Sequence, residues 1–184
     1  MIKAVIFDCF GVLLIDSTQS LVERYPEYGS ELLHLRRQAD AGYLSREDLL
    51  KEFSAILAIP EDEIDEIFRN EHQLNTQLTE YITSLKKSGI KIGMITNLGR
   101  GWFNELLPQK EVQNLFDDII ISGEVHMTKP SPAIYELSLN NLNVEADEAI
   151  FVDDIKANCV GAEVVGLKGV HYKTFAEFKT QMNV

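Results

Sequence analysis

The sequence predicts an α/β fold: a doubly wound parallel sheet with a small α-helical cap inserted after the first strand. Three observations carry this prediction. Short apolar runs of strand character recur along the chain and end in polar residues. From Leu78 onward these runs alternate with stretches of helical periodicity. Between about residues 16 and 79 the periodicity is helical, with almost no strand signal. Strands alternating with helices form a parallel sheet covered on both faces, and right-handed crossovers wind it both ways. The expected core is 1–15 and 80–184, and the expected cap is 16–79.

The first strand lies in Ala4-Val5-Ile6-Phe7, ends at Asp8 and turns at Gly11. The inserted segment carries an early helix marked by Leu32, Leu35 and Ala39. A second is marked by Leu49, Leu50, Phe53, Ile56 and Leu57, with Ser45 placed to cap it. A third, marked by Ile64, Ile67 and Phe68, follows Pro60. Leu78, Tyr81, Ile82 and Leu85 form one face of the next helix, which Gly89 ends. Ile90–Ile95 reads as a strand ending in Thr96 and Asn97. Gly99 and Gly101 loosen the following loop, before a short helix around Trp102–Leu107. Asp118–Ile121 is the next strand, and Lys129 lies in the loop after it. Ser131 and Pro132 open a helix carrying Ile134, Leu137 and Leu139. Ala149–Val152 is a strand ending in Asp153 and Asp154, followed by a helix through Ala157, Val160 and Val164. The last strand lies near Gly169–Tyr172, and a terminal helix covers Phe175–Met182.

Bulk composition excludes several classes of function. The chain has 184 residues, 45% hydrophobic and 25% charged, enough for one domain with a modest insertion. Its net charge of −12 (17 basic, 29 acidic) repels nucleic acid. No segment has the length of a membrane-spanning helix or the pattern of a signal peptide. Cys9 and Cys159 have no metal-ligand spacing and fit a reducing compartment. The expectation is a cytoplasmic protein, monomeric or dimeric, with neither membrane nor nucleic acid as partner.

Taken alone, Asp8 reads equally as a turn residue or as a nucleophile, metal ligand or base. The other strand ends shift the balance, because Asp8, Thr96-Asn97, Lys129 and Asp153-Asp154 all emerge on one edge of a parallel sheet, where ligands bind. Each has a use against a phosphate ester. Asp8 is an oxygen nucleophile. Asp153 and Asp154 supply a magnesium site, and two adjacent carboxylates usually need a cation or solvent. Lys129 neutralises phosphoryl oxygens. The Thr96 hydroxyl and the Asn97 amide donate without adding charge. Backbone N–H groups beside Gly11 complete a cradle. Asn158, one helical turn after Asp154, holds that carboxylate or Lys129 in place.

The motifs Phe7-Asp8-Cys9-Phe10-Gly11-Val12, Ile95-Thr96-Asn97, Lys129-Pro130-Ser131-Pro132-Ala133-Ile134-Tyr135 and Phe151-Val152-Asp153-Asp154-Ile155-Lys156-Ala157-Asn158 together resemble the haloacid dehalogenase-like (HAD) superfamily of hydrolases. The resemblance covers the whole chain. It implies a Rossmann-like core with a helical cap. It also implies Mg2+ held by Asp8, the backbone carbonyl of Phe10, Asp153 and Asp154, with Asp154 the main ligand of the pair. The implied activity is a magnesium-dependent phosphatase acting on a small phosphorylated metabolite through an aspartyl-phosphate at Asp8, a sugar phosphate being the family-based guess.

The pattern breaks at Phe10. Phosphatases of the family usually carry a second aspartate there as general acid and base, help worth about 10²–10⁴-fold in rate. Asp16 and His126 are stand-ins to consider, each also readable as structural or solvated. Family members that act on 2-haloacids place an aromatic residue at this position and need no metal, but the acidic pair would then crowd Asp8 with no cation between. A non-catalytic sensor or partner module is the third reading. Arg24, Arg36 and Arg46 in the cap are anion binders to consider, each also readable as a solvated helix residue.

Overall fold

In the computed structural model, which describes residues 1–14, 21, 24–70 and 73–182, strand β1 (Ala4–Phe7) forms the middle of a five-stranded sheet. The other strands are β2 (Lys91–Thr96), β3 (Asp118–Ile121), β4 (Ala149–Asp153) and β5 (Lys168–His171). Their order is β3-β2-β1-β4-β5, with every pairing parallel. The chain moves outward from β1 through β2 to β3, then returns to build β4 and β5 on the other side. The winding therefore reverses between β1 and β4, the crevice where open α/β sheets bind ligands.

Period-2 alternation along the strands fills both faces. Val5, Phe7, Ile92, Met94, Ile150 and Val152 belong to one apolar cluster, with Leu78, Ile82 and Phe178 from helices α4 (Thr76–Lys87) and α10 (Phe175–Gln181). Ala4, Ile6, Ile95, Ile120 and Phe151 belong to the other, with Ile134, Tyr135 and Leu139 of α8 (Pro132–Leu142) and Ala162 of α9 (Lys156–Val164). Full burial of each large apolar side chain contributes about 1.5–3 kcal/mol. Helix α4 begins at Thr76, capped by Asn75, whose side chain also donates to Val12 O (3.0 Å) and Tyr172 Oη (2.8 Å). The expected core boundary at residue 80 thus falls inside this helix.

The inserted segment folds as α1 (Gly29–Asp40), α2 (Arg46–Leu57) and α3 (Glu61–Asn70). Ser45 caps α2 in a reciprocal capping box with Asp48. Buried Asp65 pairs with both Arg46 and Arg69, and Arg46 stacks 4.9 Å from the Trp102 ring centroid. Phe68 meets that Trp102 ring edge-on at 4.9 Å, which joins the cap to the loop after β2. Two short helices follow β2, α5 (Phe103–Leu106) and α6 (Lys110–Gln113), and α7 (Ser122–Val125) follows β3 directly. Ser122 Oγ donates to Asp40 O (2.6 Å) and accepts from Leu98 N (2.9 Å). The C-terminus of α1 is thereby tied to the loops after β2 and β3, and the cap is fixed over the carboxyl edge of the sheet.

Candidate active site

Strand register brings the first carboxylates together. Phe7 pairs with Val152, so Asp8 and Asp153 leave the sheet side by side, and Asp8 N–H donates to Val152 O at 2.8 Å. Lys129 enters from the loop before α8 and lies between them. Its Nζ is 2.7 Å from Asp8 Oδ1 and 2.7 Å from Asp153 Oδ2, with the side chain only 1% exposed. Burial alone would lower the Lys129 pKa, but Asp8 and Asp153 outweigh it and hold the ammonium above its ordinary value. Burial pushes the Asp8 carboxyl up to about 8. Lys129 opposes that rise, and Asp153 and Asp154 add to it.

Asp153 is fully buried and saturated with donors: Ile155 N–H (2.8 Å) and Asn158 Nδ2 (3.0 Å) on Oδ1, Lys129 and Asn158 (3.1 Å) on Oδ2. Asn158 therefore holds Asp153, a correction to the expectation that it serves Asp154 or Lys129. Tyr135 fixes the Asn158 backbone by donating to its carbonyl at 2.8 Å. Asp154 is partly exposed, and its carbonyl accepts from His171 Nε2 at 2.8 Å. One oxygen from each of Asp8, Asp153 and Asp154 lies within 4.8 Å of the others. Three hard oxygen donors at this spacing suit a hard divalent cation.

Gly11 needs its glycine. Its φ is +76°, and a Cβ there would fall on the Asp154 carboxylate. Its N–H donates to Leu14 O (2.6 Å), and the Cys9 N–H donates to Asp8 Oδ1 (2.6 Å). These two amides are thus bound within the loop, and Gly11 makes room for Asp154. Asn97 is a second correction: its side chain bridges the Lys129 backbone, accepting from N–H at 2.9 Å and donating to C=O at 3.0 Å. It positions the lysine loop. Thr96 Oγ1 behaves differently, being fully buried with no hydrogen-bond partner. Leaving such a hydroxyl unmatched costs about 1–3 kcal/mol.

A cleft of about 290 Å³ opens above Asp8, lined from the core by Phe10, Asn97, Lys129 and Asp154 and from the cap by Leu33, Arg36, Arg37 and Asp40. Arg36, weighed from sequence, faces this cleft. Arg37, Leu33 and Asp40 were missed, because helical periodicity shows which residues leave the cap's own core but not which of them meet the sheet edge. Arg46 is taken up by Asp65, and Arg24 is exposed. His126 lies at the joint of cap and core, its Nδ1 donating to Ala41 O at 3.2 Å. Asp16 lies outside the described residues. Phe10 is buried at 8% exposure and presents an apolar wall to the cleft, so its side chain supplies no acid.

Comparison with known proteins agrees with this geometry. Residues 5–171 match the haloacid dehalogenase-like hydrolase family. A sesquiterpene phosphatase from Aspergillus oryzae is 30% identical over 92% of this chain and 89% of its own. The pyrophosphatase PpaX of Bacillus velezensis is 28% identical over 91% and 81%. Among solved structures, a HAD family enzyme from Bacteroides thetaiotaomicron in complex with magnesium superposes with a TM-score of 0.82 at 18% identity, covering 100% of this chain and 99% of that one. The L-2-haloacid dehalogenase of Xanthobacter autotrophicus gives 0.65 at 19% identity, over 91% and 76%. The chain belongs to the haloacid dehalogenase-like hydrolases.

Proposed function

We propose that this haloacid dehalogenase-like hydrolase is a magnesium-dependent phosphatase of a small phosphate monoester, working through an aspartyl-phosphate on Asp8. One observation carries the reading: carboxylate oxygens of Asp8, Asp153 and Asp154 converge within 4.8 Å, with Lys129 paired to the first two. That excess of negative charge matches a divalent cation joined to an anionic substrate. The phosphatase and pyrophosphatase relatives support the same chemistry.

Asp8, Asp154 and the Phe10 carbonyl would hold the ion, with Asp153 supporting. When bound, magnesium neutralises charge on the phosphoryl oxygens and favours the ionised form of Asp8. Asp8 attacks phosphorus in line with the ester oxygen. The P–O bond to the alcohol breaks as the bond to Asp8 forms. Lys129 Nζ balances the charge on the transferring group. The Thr96 hydroxyl donates to a phosphoryl oxygen, gaining the partner it lacks. Asn97 and Asn158 act indirectly, one fixing the lysine backbone and the other fixing Asp153. The departing alkoxide needs a proton that Phe10 cannot give. Among the carboxyl groups lining the cleft, Asp40 comes from the cap and lies outside the cluster of Asp8, Asp153 and Asp154, and we assign it that proton transfer and the later activation of water.

The test is phosphate release from p-nitrophenyl phosphate. It should require magnesium, stop with a chelator and vanish in Asp8→Asn. Halide release from 2-chloropropionate in chelator, with no phosphate release, would replace this reading with the dehalogenase one, for which Phe10 is the favouring residue.

A further inference from the structure

We propose that the leaving group of the substrate is apolar, an alkyl or aryl alcohol rather than a polyhydroxylated one; this rests on the phosphatase reading. The cleft's polar inventory argues against a sugar. Among the described residues no Ser, Thr, Gln or Tyr lines it, and of its two amides Asn97 has both ends on the Lys129 backbone and Asn158 has its nitrogen on Asp153. The remaining polar groups outside the catalytic cluster are the charged Arg36, Arg37 and Asp40. The two guanidiniums complement the phosphate dianion. A sugar hydroxyl taken from water without a matched partner loses roughly tenfold or more in affinity. The family-based guess of a sugar phosphate therefore fits this cleft poorly.

Its apolar inventory points the other way. Leu33 on α1 is 39% exposed and Ile155, just after Asp154, is 54% exposed. Single exposed apolar residues are ordinary, but these two line the same cleft, together with Phe10. Next to the cleft lies a second cavity of about 40 Å³, walled by Phe53, Phe68, Leu98 and Trp102 and sharing Phe10, Arg36 and Asp40 with it. That volume exceeds the roughly 10–15 Å³ that one water needs, and its walls are mainly apolar. A leaving group with its oxygen at Asp8 meets Phe10, Leu33 and Ile155 first, and its end reaches this cavity. Phe10 thus acquires a use at the position where the usual acid is absent.

The experiment is a kcat/KM series in magnesium over n-alkyl phosphates from methyl to hexyl, with phenyl phosphate, glucose 6-phosphate and pyrophosphate beside them. p-Nitrophenyl phosphate serves as the control for turnover. The expected result is a rise of about fourfold per methylene until the cleft is filled, and at least a tenfold preference for hexyl phosphate over glucose 6-phosphate. Leu33→Asn and Ile155→Asn should each flatten the slope, and because both side chains are exposed the fold should survive. A flat slope, or a preference for glucose 6-phosphate or pyrophosphate while p-nitrophenyl phosphate is turned over, overturns the inference and leaves the phosphatase reading intact. Should no ester be turned over, the phosphatase reading fails. The apolar site is then judged by melting of Asp8→Asn protein in magnesium: hexyl phosphate shifting the midpoint no more than inorganic phosphate overturns it.

Discussion

Lys129→Met is the substitution with the largest consequence for the site. Methionine keeps the apolar stem but removes the ammonium that lies 2.7 Å from both Asp8 and Asp153. The side chain is 1% exposed, so water has little access to replace it. Breaking a buried ion pair costs about 3–5 kcal/mol. For a chain of this size each kcal/mol moves the melting point by about 2–4 °C, so metal-free variant should melt on the order of 10 °C below wild type at pH 8. The pH dependence has a definite sign. Asp8 in the folded protein is raised to about 8, mainly by burial and against the opposing pull of Lys129, whereas the unfolded value is about 4. A carboxyl raised by folding stabilises the protein below its unfolded pKa and loses that contribution as pH climbs through the folded one. Removing Lys129 raises Asp8 further. The gap between variant and wild type should therefore change little up to pH 8 and be wider at about pH 9.5, where wild-type Asp8 has ionised beside Lys129 and the variant's has not. Circular-dichroism melts in chelator at both pH values measure it, and repeating them in magnesium should narrow the gap. Equal melting at pH 8 in chelator would refute the claim that Lys129 holds the two carboxylates together.

Gly11→Ala should lower the melting point by a few degrees, since a left-handed residue with a side chain costs about 1–2 kcal/mol. It should also weaken the magnesium midpoint, read from melting against metal concentration, at least tenfold as the new Cβ displaces Asp154. Asp40→Asn should leave phosphoryl transfer from p-nitrophenyl phosphate to Asp8 nearly intact in the pre-steady-state burst, while slowing the same step with alkyl phosphates by about 10²–10⁴-fold; equal slowing of that step with both esters would remove Asp40 from leaving-group protonation. Asp65→Asn should loosen the cap by freeing Arg46 and Arg69. Hydrogen exchange across 29–70 should accelerate while β1, β2 and β4 stay protected.

The sheet was legible because its strands are short apolar runs with a polar residue at each carboxyl end. The expected strands match those formed to within a residue or two, with Thr96 and Asp153 closing β2 and β4 as part of the ladder. Ser45 and Gly89 marked helix ends correctly because capping and positive φ are local properties. The short helices α6 and α7 went unread; each is four residues long, below one cycle of useful periodicity. Within the site, Asp8, Lys129, Asp153 and Asp154 meet because a parallel sheet brings its carboxyl ends to one edge. The partner of Asn158 was misjudged because spacing along a helix gives reach, not direction: the amide points back to Asp153. The cap's contribution depended on the tilt of α1, which is set by Ser122 reaching the Asp40 carbonyl across 82 positions of sequence. No window of residues contains that contact.

Phe10 taken alone favours attack on carbon, where no leaving-group proton is needed. The charge around Asp8 favours phosphorus. Fully ionised, Asp8, Asp153 and Asp154 outnumber Lys129 by two charges, and burial holds the Asp8 carboxyl above its ordinary value. A carboxyl held above its ordinary value is less readily ionised and so a weaker nucleophile. A haloacid would bring its own carboxylate into that field and raise Asp8 further. A divalent cation would supply the two missing charges and favour the ionised form of Asp8, leaving Arg36 and Arg37 in the cleft to offset a phosphate dianion. The unpartnered Thr96 hydroxyl fits the same account, since a phosphoryl oxygen can accept from it. On this argument the aromatic residue shapes the leaving-group side of the cleft, while the acidic cluster selects the chemistry.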